Sequence, residues 1–300
     1  MTATLIEEGG LAGNPEPTAL TQWQLFRRRF FKHKVAVVSV IILILFTFAC
    51  FAAPLIAPFS NTAQDLHLGA VSPNGTHWFG TDTLGRDQLT RLLYAGQISL
   101  KIGFAVALIA TVFGTAVGAV AGYLGKAVDQ VLMRFTDLFL VVPALAILAI
   151  VLKRLGRTDT WVIVVLAALF WMYVARVVRG QVLSVKEKEF IEAARASGAS
   201  KTRIIVRHVI PNIIGPVMVN ATLAVAAAIV TESTLSFLGF GIQPPNTSWG
   251  NMLADAEGFT GTDLSYLIYA PGLAILFTVL CVNFIGDGLR DAFDPQSEKH

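Results

Sequence analysis

Charge is what this chain of 300 residues has least of: Asp, Glu, Lys and Arg make up only 14% of it, against about 25% in soluble domains. A surface with so few charges does not face water everywhere, and the 54% share of hydrophobic residues and mean hydropathy of +0.64 agree. That excludes a disordered protein and argues against an ordinary cytosolic enzyme. Cysteine is nearly absent. Cys50 and Cys281 each fall inside an apolar run, which suits small buried hydrophobes and supplies no disulfide framework or metal-type spacing. The five histidines are scattered without an H-x-x-x-H pair, so no metal site is expected. A nucleotide loop is missing too: the nearest run, Gly122–Lys126, lacks the G-x-x-x-x-G-K-[ST] spacing. No cleavable leader is expected, because residues 1–20 hold no short apolar core ending in a small-residue site.

What the chain has is long apolar runs. Six spans of about 20 residues use roughly 120 positions, and six can be drawn: 35–57, 98–124, 131–152, 160–178, 213–238 and 264–286. The class is an all-α integral membrane protein. Residues 1–20 read as a disordered tail. Residues 21–34 interleave Trp23, Leu25, Phe26, Phe30 and Phe31 with five basic residues, the pattern of an amphipathic helix lying on an anionic membrane surface. The organisation expected is a segment 21–97 (interfacial helix, first span, outside stretch), a core 98–286 with a cytoplasmic loop 179–212, and a tail 287–300. With the N-terminus inside, seventeen of the 23 basic residues fall on the cytoplasmic side and six outside, which favours six spans with both termini cytoplasmic. Lys153, Arg154 and Arg157 lie on the sparse side, against that rule. Neither a solenoid repeat nor the inverted repeat of secondary transporters is visible.

Several residues are candidates for function. Arg134 and Asp137, three apart near the start of the third span, read either as an i,i+3 ion pair or as charges on a pathway. Glu232, near the outer end of the fifth span, reads equally as a pathway group or as a solvated interfacial carboxylate. Asp82, Arg86 and Asp87 form a charged turn beside Gly80 and Gly85, lacking the further ligands of a calcium site. Pro244, Pro245 and Trp249 suggest a stiff outer segment with an interfacial aromatic anchor. Lys153, Arg154 and Arg157 read as a cluster attracting a substrate carboxylate, or as the sign of a misplaced span. An intramembrane enzyme would need a Ser/His, paired-Asp or zinc constellation. No histidine lies within a span, and Asp137 has no second Asp beside it.

The cytoplasmic loop is the most informative stretch. Helix formers run from Lys186 to Ala196, with Phe190, Ile191 and Ala194 as an apolar stripe. Gly198 ends that helix, Ser200 can cap a second, and Pro211 and Pro216 mark the start of the fifth span. A helix–Gly–helix of this kind suits docking in a partner's groove, and equally suits lying on lipid headgroups.

Glu192-Ala193-Ala194, three residues, Gly198, and then Ile210-Pro211 resemble the EAA loop of ATP-binding cassette importer permeases; His208 stands where the family often has an apolar residue. The aromatic, basic N-terminal segment, His77–Asp87, Glu232–Pro245 and Ser248–Met252 are similar to the dipeptide/oligopeptide type of permease subunit. The resemblance implies a five-helix type I importer core, plus an N-terminal span preceded by the interfacial helix. It implies that Glu192, Ala193, Ala194, Gly198 and Pro211 form the ATPase-coupling element. It further implies a non-catalytic subunit of a bacterial cytoplasmic (inner) membrane importer. Its partners would be a second homologous permease, two cytoplasmic ATPase subunits that bind ATP and Mg, and an extracellular or periplasmic substrate-binding protein, with no nucleic acid. Short peptides are the cargo it implies, with nickel or other metal chelates and other small solutes as the alternative. A rival of a different class is an ATP-independent secondary transporter.

Overall fold

The architecture follows from how closely two long helices approach. The computed structural model describes residues 22–293, so the expected tail over 1–20 and the end of the tail at 294–300 lie outside the described residues. In chain order the helices are α1 (Gln22–Lys32), α2 (Lys34–Phe51), α3 (Ala53–Ile56), α4 (Gln88–Leu124), α5 (Lys126–Val141), α6 (Ala144–Leu155) and α7 (Asp159–Val185). There follow α8 (Glu189–Ala196), α9 (Lys201–Ile204), a π turn over Ile205–Val209, α10 (Ile210–Phe237), α11 (Trp249–Asp255) and α12 (Tyr266–Phe293). Among the described residues the only β pairing is an isolated bridge between Thr81 and Asp87.

Gly114, Gly118 and Gly122 line one edge of α4. A Cβ on Gly114 would stand 2.6 Å from the Trp171 carbonyl oxygen, and one on Gly118 only 2.4 Å from that of Ala175. Gly122 meets Val182 in the same register, and Lys101 Nζ reaches Asp159 Oδ2 at 2.6 Å. The offset between partners stays nearly constant, so α4 and α7 run parallel. From Lys101 to Gly122 the seam extends about 30 Å at 1.5 Å per residue, the thickness of a hydrocarbon core.

Parallel neighbours require a return crossing between Leu124 and Asp159. That crossing is α5 and α6 together, bent by 84°. The expectation of one straight span over 131–152 is therefore corrected. Pro143 has no N–H and disfavours helical geometry at the residue before it, and Val142 is indeed extended, at φ −79° and ψ 136°. Helices α2, α4, α7, the continuous α9–α10 run and α12 are each long and apolar enough to cross a membrane. With the bent pair counted as one span, the described residues hold six candidate crossings.

The remaining helices are antiparallel to their neighbours. Ser99 of α4 meets Glu232 of α10, Gly215 and Thr222 of α10 meet Phe293 and Gly286 of α12, and Ala36 of α2 meets Gly288. Consequently α1, α8 and the end of α12 share one end of the bundle, where the tilted rings of Phe26 and Phe293 meet with centroids 4.4 Å apart. Several helices outrun the expected spans. Residues 88–97 already belong to α4, and α12 continues to Phe293.

At the opposite end the chain folds over itself. Asp82 accepts hydrogen bonds from the backbone N–H of Leu84 and Arg86, and from Arg91 Nη1 at 2.5 Å. Arg91 in turn reaches Asp255 of α11 at 2.8 Å. Tyr266 donates its hydroxyl between the carbonyl oxygens of Val71 and Thr81. The charged turn thus packs on its own chain. Trp249 is buried, its indole N–H donated to the Leu92 carbonyl oxygen and its ring stacked on Phe46, so it is a core residue and not the interfacial anchor expected.

Candidate functional site

The loop between α7 and α10 divides its side chains between two surfaces. Ile191 is fully buried and Ala194 half-buried, packed with Val185, Ile204, Val209 and Tyr123. Phe190, Glu192 and Ala193 are exposed. The apolar stripe read from the sequence therefore splits: Ile191 and Ala194 fasten α8 to the bundle, while Glu192 and Ala193 present an outward face.

The ends of α8 are set by backbone chemistry. Gly198 has φ +77°, a left-handed conformation costing an L-residue about 1 kcal/mol. Its N–H bonds the Arg195 carbonyl oxygen at 3.0 Å, and the Ala199 N–H bonds that of Ala194 at 3.1 Å; this pair of bonds is the Schellman ending. A Cβ at Gly198 would meet nothing within 4 Å, so glycine is required for its dihedral and not for space. Ser200 then caps α9 by accepting the Arg203 N–H. Pro211 is exposed and follows directly on the π turn in the continuous α9–α10 run, where its missing N–H gives the preceding turn no bond.

Two cross-helix contacts and one continuous helical run tie this end together. Asp129 of α5 holds Arg179 of α7 through two hydrogen bonds, the Nη2 one at 2.6 Å. Arg195 lies over the Tyr123 ring at 5.4 Å and donates to its hydroxyl, which pushes the Arg195 pKa up from its ordinary value. The π turn, with its looser winding, joins α9 to α10 in one continuous run. Sequence reading missed both cross-helix contacts. Their partners are roughly fifty or more residues apart, and no local spacing signals them.

The other candidates are not part of this loop. Asp137 is paired chiefly with Arg176 of α7, a partner the sequence reading did not name, while Arg134 Nη1 stands 3.7 Å from Asp137 Oδ2. Glu232 is completely buried, and its carboxylate accepts the Ser236 hydroxyl at 2.7 Å and the Ser99 hydroxyl at 3.2 Å. It is not a solvated interfacial group: it joins α10 to α4, and Ser99 also accepts the Trp249 N–H. Lys153 and Arg157 border a cleft of about 440 Å³ with Gln243 and Asn246 at the end away from α8, and Arg157 donates to the Gly239 carbonyl oxygen. Among the described residues no three His, Cys, Asp or Glu side chains come together as a metal site.

Comparison with known proteins adds to this geometry. Residues 114–299 match the family described as binding-protein-dependent transport system inner membrane component, and residues 21–70 match the N-terminal TM domain of oligopeptide transport permease C. The chain is 41% identical over 297 residues to the oligopeptide transport system permease protein OppC of Haemophilus influenzae, covering 98% of this chain and 93% of that one. It is 42% identical to the protein of the same name in Escherichia coli K12, covering 91% of each. It is 37% identical to the dipeptide transport system permease protein DppC of Alkalihalophilus pseudofirmus, covering 93% and 91%. Among solved structures, an inward-facing MetNI methionine ABC transporter chain aligns with a TM-score of 0.51 at 19% identity, covering 65% of this chain and 94% of that one; this likeness concerns the fold.

Proposed function

The chain belongs to the family of binding-protein-dependent transport system inner membrane components, and from that premise we propose that it carries short peptides across the membrane, driven through α8 by ATPase subunits that this loop engages. The observation carrying this reading is the two-sided loop. Glu192 and Ala193 face outward from a helix that Ile191 anchors and Gly198 terminates. A surface that receives a mechanical push must be both accessible and rigidly joined to what it moves. The Tyr123–Arg195 contact joins it to α4, the Asp129–Arg179 pair holds α5 to α7 at the same end, and the α9–π–α10 run leads from it into α10.

In this reading two ATPase subunits bind ATP and Mg in the cytoplasm, a second homologous permease completes the pathway, and a binding protein delivers cargo at the opposite end. Small Ala193 allows a partner to approach closely, Glu192 supplies a charge for it to recognise, and Pro211 fixes where α10 leaves the loop. The α8 end is cytoplasmic because the basic residues concentrate there, which places both chain ends on that side of a bacterial cytoplasmic membrane. Peptides are favoured as cargo by the names of relatives at 37–42% identity.

The test is uptake of a radiolabelled tripeptide into vesicles bearing the complete complex. Uptake is expected only with the binding protein and ATP, and vanadate abolishes it. Uptake driven by a proton gradient and indifferent to vanadate would point to a secondary transporter.

A further inference from the structure

The faces the bundle turns outward differ in chemistry. Helix α2 exposes Ile41, Ile44, Leu45 and Phe48 and has no charged residue from Val35 to Phe51, as a lipid-facing helix should. The face made by α5 and α7 is different. Arg134 is 84% exposed, and Asp137 and Arg176 are close to half exposed. Counting at 1.5 Å per residue from Lys126 and from Val185, these groups lie about 12–16 Å inside the α8 ends of their helices. Charges at such depth avoid lipid and face protein or a water-filled cavity.

Snorkelling does not remove the difficulty. A guanidinium escaping to the headgroups would turn back toward the α8 end, whereas Arg134 lies beside Asp137, which is nearly one turn deeper. A second observation marks the same face. The break between α5 and α6 leaves Val141, Val142 and Pro143 exposed, and interrupted backbone at membrane depth is tolerated only inside protein or against water.

We propose that the α5–α7 face lines a water-filled passage, and that Arg134 and Arg176, two cations against the single carboxylate of Asp137, form a station there for carboxylate groups on the passing cargo. This rests on the peptide-carrier reading. Arg134 is the group free to meet cargo, since Arg176 holds Asp137 more closely. The station is open and its ligand is transient.

Two measurements on the reconstituted complex test this. In a background with Cys50→Ala and Cys281→Ala, single cysteines are placed by Arg134→Cys, Val141→Cys and, as a lipid-facing reference, Ile44→Cys. Because the thiolate is the reacting species, a charged, water-soluble thiosulfonate is expected to modify the first two about tenfold faster than the reference. Modification only by a lipid-soluble maleimide, or by neither reagent, would overturn the aqueous passage in favour of a lipid face or a sealed subunit contact. In the second measurement, Arg134→Gln is expected to lower the uptake ratio of Ala-Glu-Ala to Ala-Lys-Ala about threefold, with the binding protein saturated by each. An unchanged ratio would remove the carboxylate station. Should wild type carry neither peptide, the cargo reading fails, while cysteine labelling still decides what the face meets.

Discussion

A Gly198→Pro chain is expected to reach the membrane, fold its spans, and carry no substrate. Proline holds φ near −65°, whereas Gly198 sits at +77° and donates its N–H to Arg195. The substitution therefore removes one bond of the helix ending, worth about 0.5–1.5 kcal/mol, and reverses the turn, because proline cannot hold the left-handed φ. The loss stays local, because Gly198 is exposed and a Cβ there meets nothing within 4 Å. What it disorders is the direction in which α8 presents Glu192 and Ala193. Gly198→Ala separates dihedral from bulk: its strain of about 1 kcal/mol should leave uptake reduced and not absent. Glu192→Lys removes the recognition charge without touching the turn and also places a cation in the first turn of α8, where the helix dipole disfavours it by under about 1 kcal/mol. Substrate-stimulated ATP hydrolysis and uptake, measured at matched amounts of membrane-inserted protein, should fall to background in Gly198→Pro and Glu192→Lys alike.

Gly118→Leu should fail earlier, at folding. The α4–α7 seam is closed along its whole length, and even a methyl at Gly118 would come 2.4 Å from a backbone oxygen and 2.9 Å from Val178 Cβ. Neither neighbour is the flexible end of a side chain, so the helices must separate. Overpacking of this sort costs about 1–3 kcal/mol per site, and more where backbone must move. In addition, the seam sets the parallel register that fixes the route of α5 and α6. Heating of detergent-purified protein should show loss of the monodisperse species at a much lower temperature, or no recoverable protein. Gly180→Ala on the exposed side of α7 is the contrast. It has open space around it, and within a helix alanine is favoured over glycine by up to about 1 kcal/mol, so its melting should not fall.

How much of this the sequence disclosed depended on how local each signal is. The apolar runs and the Gly198 and Ser200 helix ends act within a few residues; long helices lie over the runs, and both helix ends are where they were read. Pro143 was equally visible, yet a run judged by average hydropathy passes over one proline, and so the bent third crossing was drawn straight. The burial of Trp249, and of Glu232 against its solvated alternative, was not legible because their environment is supplied from afar: by Leu92 and Phe46 for the tryptophan, and by Ser99 for the carboxylate. Asp137 was matched to the nearby Arg134, while its closer partner, Arg176, arrives on another helix. Local spacing shows that a charge needs a partner; only the packing of α5 on α7 says which one.

The most direct measurement is an affinity pull-down of the tagged chain from detergent-solubilised membranes, comparing wild type with Glu192→Lys and Gly198→Pro. Wild type is expected to bring down a second multispan protein and ATPase subunits, and the two variants to keep the second permease while losing the ATPases. Recovery of wild type alone, or of ATPases in equal amount with both variants, would contradict the docking role assigned to α8.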